Sequence, residues 1–434
     1  METTIEKKQN YTIPIIVMFL LFGMISFVTN LASPMGDILK NQFSIPNWQG
    51  TLGVFANFIA YAIMGYPAGS LLQRRGYKKT ALVAIGIGFI GVGIQTLSGI
   101  FCSFGVYLLG AFIAGFSMCL LNTVVNPMLN RLGGGGNKGN QLIQFGGSFN
   151  SLCGTAVIVL TGLLIPQGIK NAEISNVFPL MFTALAIFAL AFVVIALTDI
   201  PENEAAQQTV TAEKGKGPLA FRHFVLGAIA IFIYVGVEVG IPNVMNKWLQ
   251  NPEVNILGEG VNAEAIAGSV AATYWLLMLV GRLLGGIVGS KVSARGMIGV
   301  VASVAIALVL AAMFVPLVMV KFPAFNGAQG FGMVSIPLSA ALLVCIGLCT
   351  SVMWGGIFNL AVEGLGRYTE KASGIFMALV CGGGILPLLQ NAIVDIMGPT
   401  GYLPSYWVIV AGMAYILFYA LWGSKNVNKD IPTE

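Results

Sequence analysis

The chain has 434 residues, of which 56% are hydrophobic and 9% charged. A soluble domain carries about a quarter charged residues, so this chain cannot cover a water-facing surface. Its net charge of +5 is too small and too scattered for a nucleic-acid interface. Six cysteines, Cys102, Cys119, Cys153, Cys345, Cys349 and Cys381, lie in or beside apolar runs. They form no CxxC pair and have no histidine nearby, which argues for packing and against disulfides or zinc.

About 20 apolar residues cross the hydrocarbon core as a helix. Twelve such runs follow in chain order, at 12–36, 49–72, 80–101, 103–130, 140–166, 176–199, 221–248, 265–290, 296–321, 333–361, 371–396 and 401–423. The first is too long for a signal-peptide core and lacks a small-residue cleavage site. The longest hydrophilic stretch, Pro201 to Pro218, separates runs six and seven. The expected organisation is a six-helix half over 1–200, a cytoplasmic linker over 201–220 and a second six-helix half over 221–434. With the N-terminus inside, 18 of the 22 Lys and Arg residues fall on the inner side. Only Lys40, Lys170, Lys247 and Lys321 fall outside. Positive charge marks the cytoplasmic face, so both termini are expected there. The fold class expected is an all-α polytopic membrane protein of twelve transmembrane helices. The 55 Gly and 18 Pro imply close packing and broken helices.

Polar groups inside apolar runs are expensive and mark function. In run one, Asn30, Ser33 and Asp37 share a helix face at spacings of three and four. Run four carries Asn122, Asn126 and Asn130 as a stripe of amides, rich in donors and acceptors. Run five places Gln141, Gln144, Ser148 and Ser151 on one face, with Asn150 beside it. Run seven holds Glu238 near mid-span, one turn after Tyr234 and between Gly236, Gly240 and Pro242. A carboxyl group there is suited to carrying a proton or binding a cation. Run eight holds Trp275 and run ten Trp354, Phe358 and Asn359. In run eleven Gln390 and Asn391 follow Gly382-Gly-Gly-Ile-Leu-Pro387 and are expected to line an outer cavity.

The loop after run two reads Gly69-Ser-Leu-Leu-Gln-Arg74-Arg-Gly76-Tyr-Lys78-Lys79. A weaker echo, Gly281-Arg282-Leu-Leu-Gly to Lys291, follows in run eight, and both are expected to place basic residues at the cytoplasmic face. Parallel six-helix halves with such loops resemble the major facilitator superfamily. Gly69, Arg74, Gly76, Lys78 and Arg282 are then the expected conformational loop residues. The acid usual in the loop is Gln73 here. Further stretches resemble the fucose:proton symporter family of bacterial sugar transporters. They are Asp37-Ile-Leu-Lys-Asn-Gln-Phe43, Asn126-Pro127, Ser148-Phe-Asn-Ser151, Tyr234-Val-Gly236, Gly281-Arg282 and Gly382-Gly-Gly-Ile-Leu-Pro387. The Tyr-Val-Gly-x-Glu pattern is more similar to the glucose/galactose branch than to the fucose branch.

The resemblance implies a cation-coupled sugar importer of the bacterial inner membrane that works by alternating access. It implies proton coupling through Asp37 and a sugar contact at Asn150. The acid that the family places in run four is Asn122 here, so coupling duty is expected to fall on Glu238, with Asp37 as outer relay. The expected sugar-binding set is Asn30, Asn122, Asn126, Gln144, Asn150, Tyr234, Trp275, Trp354, Asn359, Gln390 and Asn391, the aromatic rings stacking on the sugar. Expected partners are a small sugar, the coupling ion (proton or sodium) and the lipid bilayer, with no cofactor and a monomeric chain. One histidine, His223, and the absence of Ser/His/Asp, HExxH or GxxxxGK[ST] patterns argue against an enzyme or an ATP-driven pump. The alternatives are a sodium-coupled or amino-sugar transporter, a non-transporting sensor, and an exporter of greasy solutes, which the amide stripes disfavour.

Overall fold

The computed structural model describes residues 11–42, 52–164, 174–202, 217–327, 330–428 and 431. Helix α1 spans Thr12–Gln42, α2 Leu52–Phe101, α3 Phe104–Leu132, α4 Gly136–Leu164 and α5 Phe178–Leu197. After the interval holding the expected linker come α6, Arg222–Gln250, α7, Ala263–Val288, and α8, Ala294–Phe314. Strands β1, Met319–Phe325, and β2, Phe331–Pro337, precede α9, Leu338–Thr350, α10, Met353–Val362, α11, Thr369–Ala378, α12, Gly382–Met397, and α13, Trp407–Phe418. Most of the linker, 203–216, lies outside the described residues.

Ten segments among the described residues are long and apolar enough to cross a membrane. One of them, Phe55–Phe101, runs 47 residues, about twice a bilayer crossing. Counting it as two and adding α4 gives twelve. The two crossings of α2 meet at Gly76, whose φ of 78° breaks the helix; a side chain is strained in that left-handed region. Runs ten and eleven are each split, at Ser351–Val352 and at a 3-10 turn over Leu379–Cys381. Gly382 presses against the Phe232 backbone at that break.

Runs nine and ten are shorter as helices than the apolar count predicts. Pro316 follows Val315, which is extended (ψ 138°) and closes α8, because a residue before proline is pushed out of the α region. The apolar residues beyond it alternate as an antiparallel hairpin, from Met319 opposite Pro337 to Phe325 opposite Phe331. The apolar runs take in only the two ends of this hairpin, 319–321 and 333–337. Pro316 and Pro323 disfavour helix there, and the alternating burial of β1 is that of a strand.

Each crossing buries one side. Helix α6 is central and packs on α7, α9, α10, α12 and α13, whereas α5 leaves Phe182, Leu190 and Leu197 exposed at its outer surface. The first six crossings meet the last six where α2 packs on α11, α4 on α7, and α3 on α10 and α11. At the Gly76 end this contact is close enough to exclude side chains. A Cβ on Gly65 would lie 2.5 Å from the Ala378 nitrogen, and Gly374 abuts the Gly69 backbone. Beside them the buried Tyr77 hydroxyl donates to Glu370 Oε1 at 3.0 Å. Across α4 and α7, Gln141 Nε2 donates to the Gly286 carbonyl at 3.0 Å. One end of the molecule is thereby sealed.

Gly374→Val is expected to push α2 and α11 apart and to cost about 1–3 kcal/mol, as overpacking does. Gly86→Ala, at a glycine with open space around it, is expected to be neutral. Thermal unfolding in detergent, compared between the two variants, checks the contact.

Candidate functional site

The signature loop is assembled around backbone groups. The second crossing of α2 begins at Tyr77, and its first N–H groups need acceptors that the local sequence does not supply. Glu202, from the chain just beyond α5, provides them. Its carboxylate accepts from the Tyr77 N–H at 2.6 Å and the Lys78 N–H at 2.9 Å, and its carbonyl accepts from Arg131 Nη2 at 2.8 Å. Of the expected loop residues, Gly69 and Gly76 act through the backbone and Arg74 is exposed. Nothing local in the sequence marks Glu202, which falls in the expected linker over 201–220.

Arg282 is a correction. The sequence reading sets it in the cytoplasmic basic cluster with the loop, yet it lies inside α7, well before the helix ends at Val288. Its Nη2 sits 3.2 Å from Glu238 Oε1 on α6, both side chains being nearly buried. Nη1 donates to Ser151 Oγ at 2.7 Å and to the Gly147 carbonyl at 3.2 Å, both on α4. The same Glu238 oxygen accepts from the Tyr234 hydroxyl at 2.8 Å, one helical turn away. An isolated charge in this setting is costly, and a guanidinium with a phenol supplies the compensation.

An aromatic and amide cluster adjoins the pair. The rings of Tyr234 and Trp354 meet edge to face at 6.4 Å, and Trp354 meets Phe376 at the same distance. The Trp354 indole donates to Asn126 Oδ1 at 3.1 Å, from α10 to α3. Asn126 Nδ2 donates to the Asn122 carbonyl at 2.8 Å, and Asn122 Nδ2 donates to the Tyr61 hydroxyl at 2.8 Å. Asn130 Nδ2 donates to Asn359 Oδ1, a second α3-to-α10 bond. Gln144 Nε2 donates to the Val352 carbonyl at 2.7 Å, from α4 to the break between α9 and α10. The expected residues Asn122, Asn126, Gln144, Tyr234, Trp354, Asn359 and Glu238 are therefore brought into one band of polar contacts, several of them crossing between the first and last six helices.

Other expected residues stand apart from it. Asn150 Nδ2 donates to the Phe22 carbonyl at 2.8 Å, and Asn30 to Ser26, so both bind the α1 backbone region. Trp275, 38% exposed, lies two turns from Arg282 along α7, and its neighbour Tyr274 is the buried ring, bonded to Thr350 Oγ1 at 3.0 Å. Gln390 does not line an outer cavity: it is fully buried against Gly240, with neither amide atom partnered among the described residues. Gly240 has no side chain to hold it away. Asn391 is held by Lys247 and the Pro387 carbonyl. Asp37 falls on α1, but its side chain lies outside the described residues.

The sequence profile of the Major Facilitator Superfamily matches residues 15–388. The chain belongs to that superfamily. Within it the chain is of the fucose permease type. It is 31% identical to the glucose/galactose transporter of Brucella abortus biovar 1 (strain 9-941), over 98% of each chain. It is 22% identical to the L-fucose-proton symporter of Escherichia coli (strain K12), over 97% of this chain and 95% of that one. Among solved structures, an asparagine-to-alanine variant of the E. coli fucose:proton symporter FucP matches with a TM-score of 0.77 at 21% identity, and FucP in the outward conformation with 0.77 at 20%, each covering 96% of this chain and all of that one. The chain is thus a multi-pass membrane transporter and not an enzyme.

Tyr234→Phe removes a hydrogen bond to a charged group and is expected to cost about 1.5–3 kcal/mol, against about 1 kcal/mol for the neutral bond lost in Trp354→Phe. Unfolding midpoints in detergent at neutral pH should fall in that order; equal small shifts would show that the phenol does not support the carboxylate.

Proposed function

We propose that the protein is a sugar:proton symporter of the bacterial inner membrane, importing a hexose by alternating access. The observation that carries this reading is Glu238, a nearly buried carboxylate at mid-span held by Tyr234 and Arg282 beside an aromatic and amide cluster. Support comes from relatives named as a glucose/galactose transporter and an L-fucose-proton symporter. The sidedness read from Lys and Arg puts the sealed end at the cytoplasm, so the conformation corresponds to an outward-facing one, with 1–200 and 221–434 as the moving halves.

The sugar enters where Asn126 and Trp354 now bond to each other across the halves. Its hydroxyl groups replace that bond and the Asn130–Asn359 bond, and its apolar face stacks on Trp354. Closing the outer side around the sugar then exchanges protein–protein hydrogen bonds for protein–sugar ones at little net cost. Asn122, Asn150 and Trp275 shape the outer part of this path, Gln144 its inner part, and Asp37 relays protons to it.

A proton fits the site better than sodium. Glu238 Oε1 is surrounded by two donors, a phenol and a guanidinium, whereas a metal cation needs several oxygen acceptors around it. Asn122, an amide in place of an acid, leaves Glu238 as the group in this cluster able to carry the proton.

Glu238→Gln keeps shape and hydrogen bonding but cannot titrate. In proteoliposomes with an alkaline interior it is expected to lose sugar accumulation while counterflow exchange of D-glucose or D-galactose continues. Full accumulation by this variant would remove Glu238 from coupling. Asn126→Ala is expected to weaken sugar binding several-fold, the loss of about 1 kcal/mol for one hydrogen bond.

A further inference from the structure

The Arg282 guanidinium carries five N–H donors in a fixed fork and no acceptor. Its environment has two unequal parts. On its own side stands one carboxylate, Glu238 Oε1 at 3.2 Å; across the interface stand two neutral oxygens of α4, Ser151 Oγ at 2.7 Å and the Gly147 carbonyl at 3.2 Å. The guanidinium therefore spans the two halves at the level of the aromatic cluster.

The groups that face Glu238 are few. Tyr234 lies on its own helix, and α7 contributes Arg282 and Tyr274. From α9, Thr350 is neutral and bonds Tyr274. From α10 comes Trp354, reaching the site through Tyr234. From α12, Leu386 and Gln390 pack on Gly236 and Gly240 of the same helix, and from α13 Tyr406 donates to the Ile241 carbonyl. Arg282 is thus the cation opposite Glu238. When the carboxyl group takes a proton, Arg282 loses its counter-charge but not its burial, and a nearly buried cation with only neutral acceptors is unfavourable.

We propose that Arg282 is a sugar-binding residue whose availability is set by the protonation of Glu238. Once Glu238 is neutral, Nη2 turns from the carboxyl group to hydroxyl oxygens of the sugar seated on Trp354 and Asn126. Proton loading then creates the donor that the sugar needs, and the sugar in turn supplies the acceptor that the stranded guanidinium needs. The two ligands become linked through one side chain without touching each other. This inference rests on the symporter reading and adds a contact to it.

The test measures equilibrium binding of D-glucose and of D-galactose to detergent-solubilised full-length protein across pH, for the parent, Glu238→Gln, Glu238→Gln with Arg282→Gln, and Arg282→Lys. Parent binding is expected to be strongest at low pH and to weaken as pH rises through the range where Glu238 loses its proton. Glu238→Gln should bind at the low-pH level at every pH, because Arg282 is already released. The double variant removes both charges, so it leaves no lone buried ion, and it should bind at least tenfold more weakly than Glu238→Gln. Arg282→Lys keeps the charge without the two-pronged geometry and should bind with intermediate strength. Equal binding by the double variant and Glu238→Gln would overturn the proposal and reduce Arg282 to a counter-ion. If the double variant does not fold, equal binding by Arg282→Lys and the parent at low pH would overturn it instead. Failure of the symporter reading is seen separately, as gradient-driven accumulation retained by Glu238→Gln in proteoliposomes.

Discussion

A carboxylate and a guanidinium buried together in a membrane protein constrain everything around them. Either charge is costly there without the other, and their contact at 3.2 Å holds α6 and α7 side by side. Arg282 also bonds Ser151 and Gly147, so α4 of the first six helices is tied to the same pair. Tyr234, held by its hydroxyl to the carboxylate, in turn places the ring on which Trp354 rests. The aromatic cluster, the amide stripe and the interface between halves all meet at one ion pair.

The two ends of that interface have different physics. At the Gly76 end, glycines and an alanine bring backbones together and leave no room for a solute. Deeper in, the contacts across the interface are single hydrogen bonds between amides, an indole and a carbonyl. Bonds of that kind are readily exchanged for bonds to hydroxyl groups, because each contributes only about 1 kcal/mol net. A transporter needs this contrast: a seal built from packing and a centre built from exchangeable polar contacts.

Much of this was legible in the residue order. Twelve crossings, the polar stripe of α3, Glu238 with Tyr234, and Trp354 all follow from run length, helical spacing and the cost of burying charge. The family resemblance follows from the ordered short stretches. Arg282 was misplaced because a basic residue near a helix end reads as a loop charge, and nothing local says which side chain will cross to another helix. Glu202 was missed because its partners are N–H groups 125 and 124 residues earlier, a separation that no periodicity reaches. The ends of the hairpin, 319–321 and 333–337, fall inside runs nine and ten because hydropathy counts apolar content whatever the backbone conformation, while 322–332 falls in the connection between them. Gln390, with no partner among the described residues, was read as cavity-lining because a buried unpaired amide is rare.

Proton uptake by Glu238 when sugar binds is the centre of this account, and it is directly measurable. In lightly buffered detergent solution near neutral pH, adding D-glucose or D-galactose to the parent protein is expected to draw about one proton per bound sugar from the medium, as linkage between the two ligands requires. With Glu238→Gln, sugar should bind without that uptake. Proton uptake of the same size in both proteins would contradict the account and place the coupling group elsewhere.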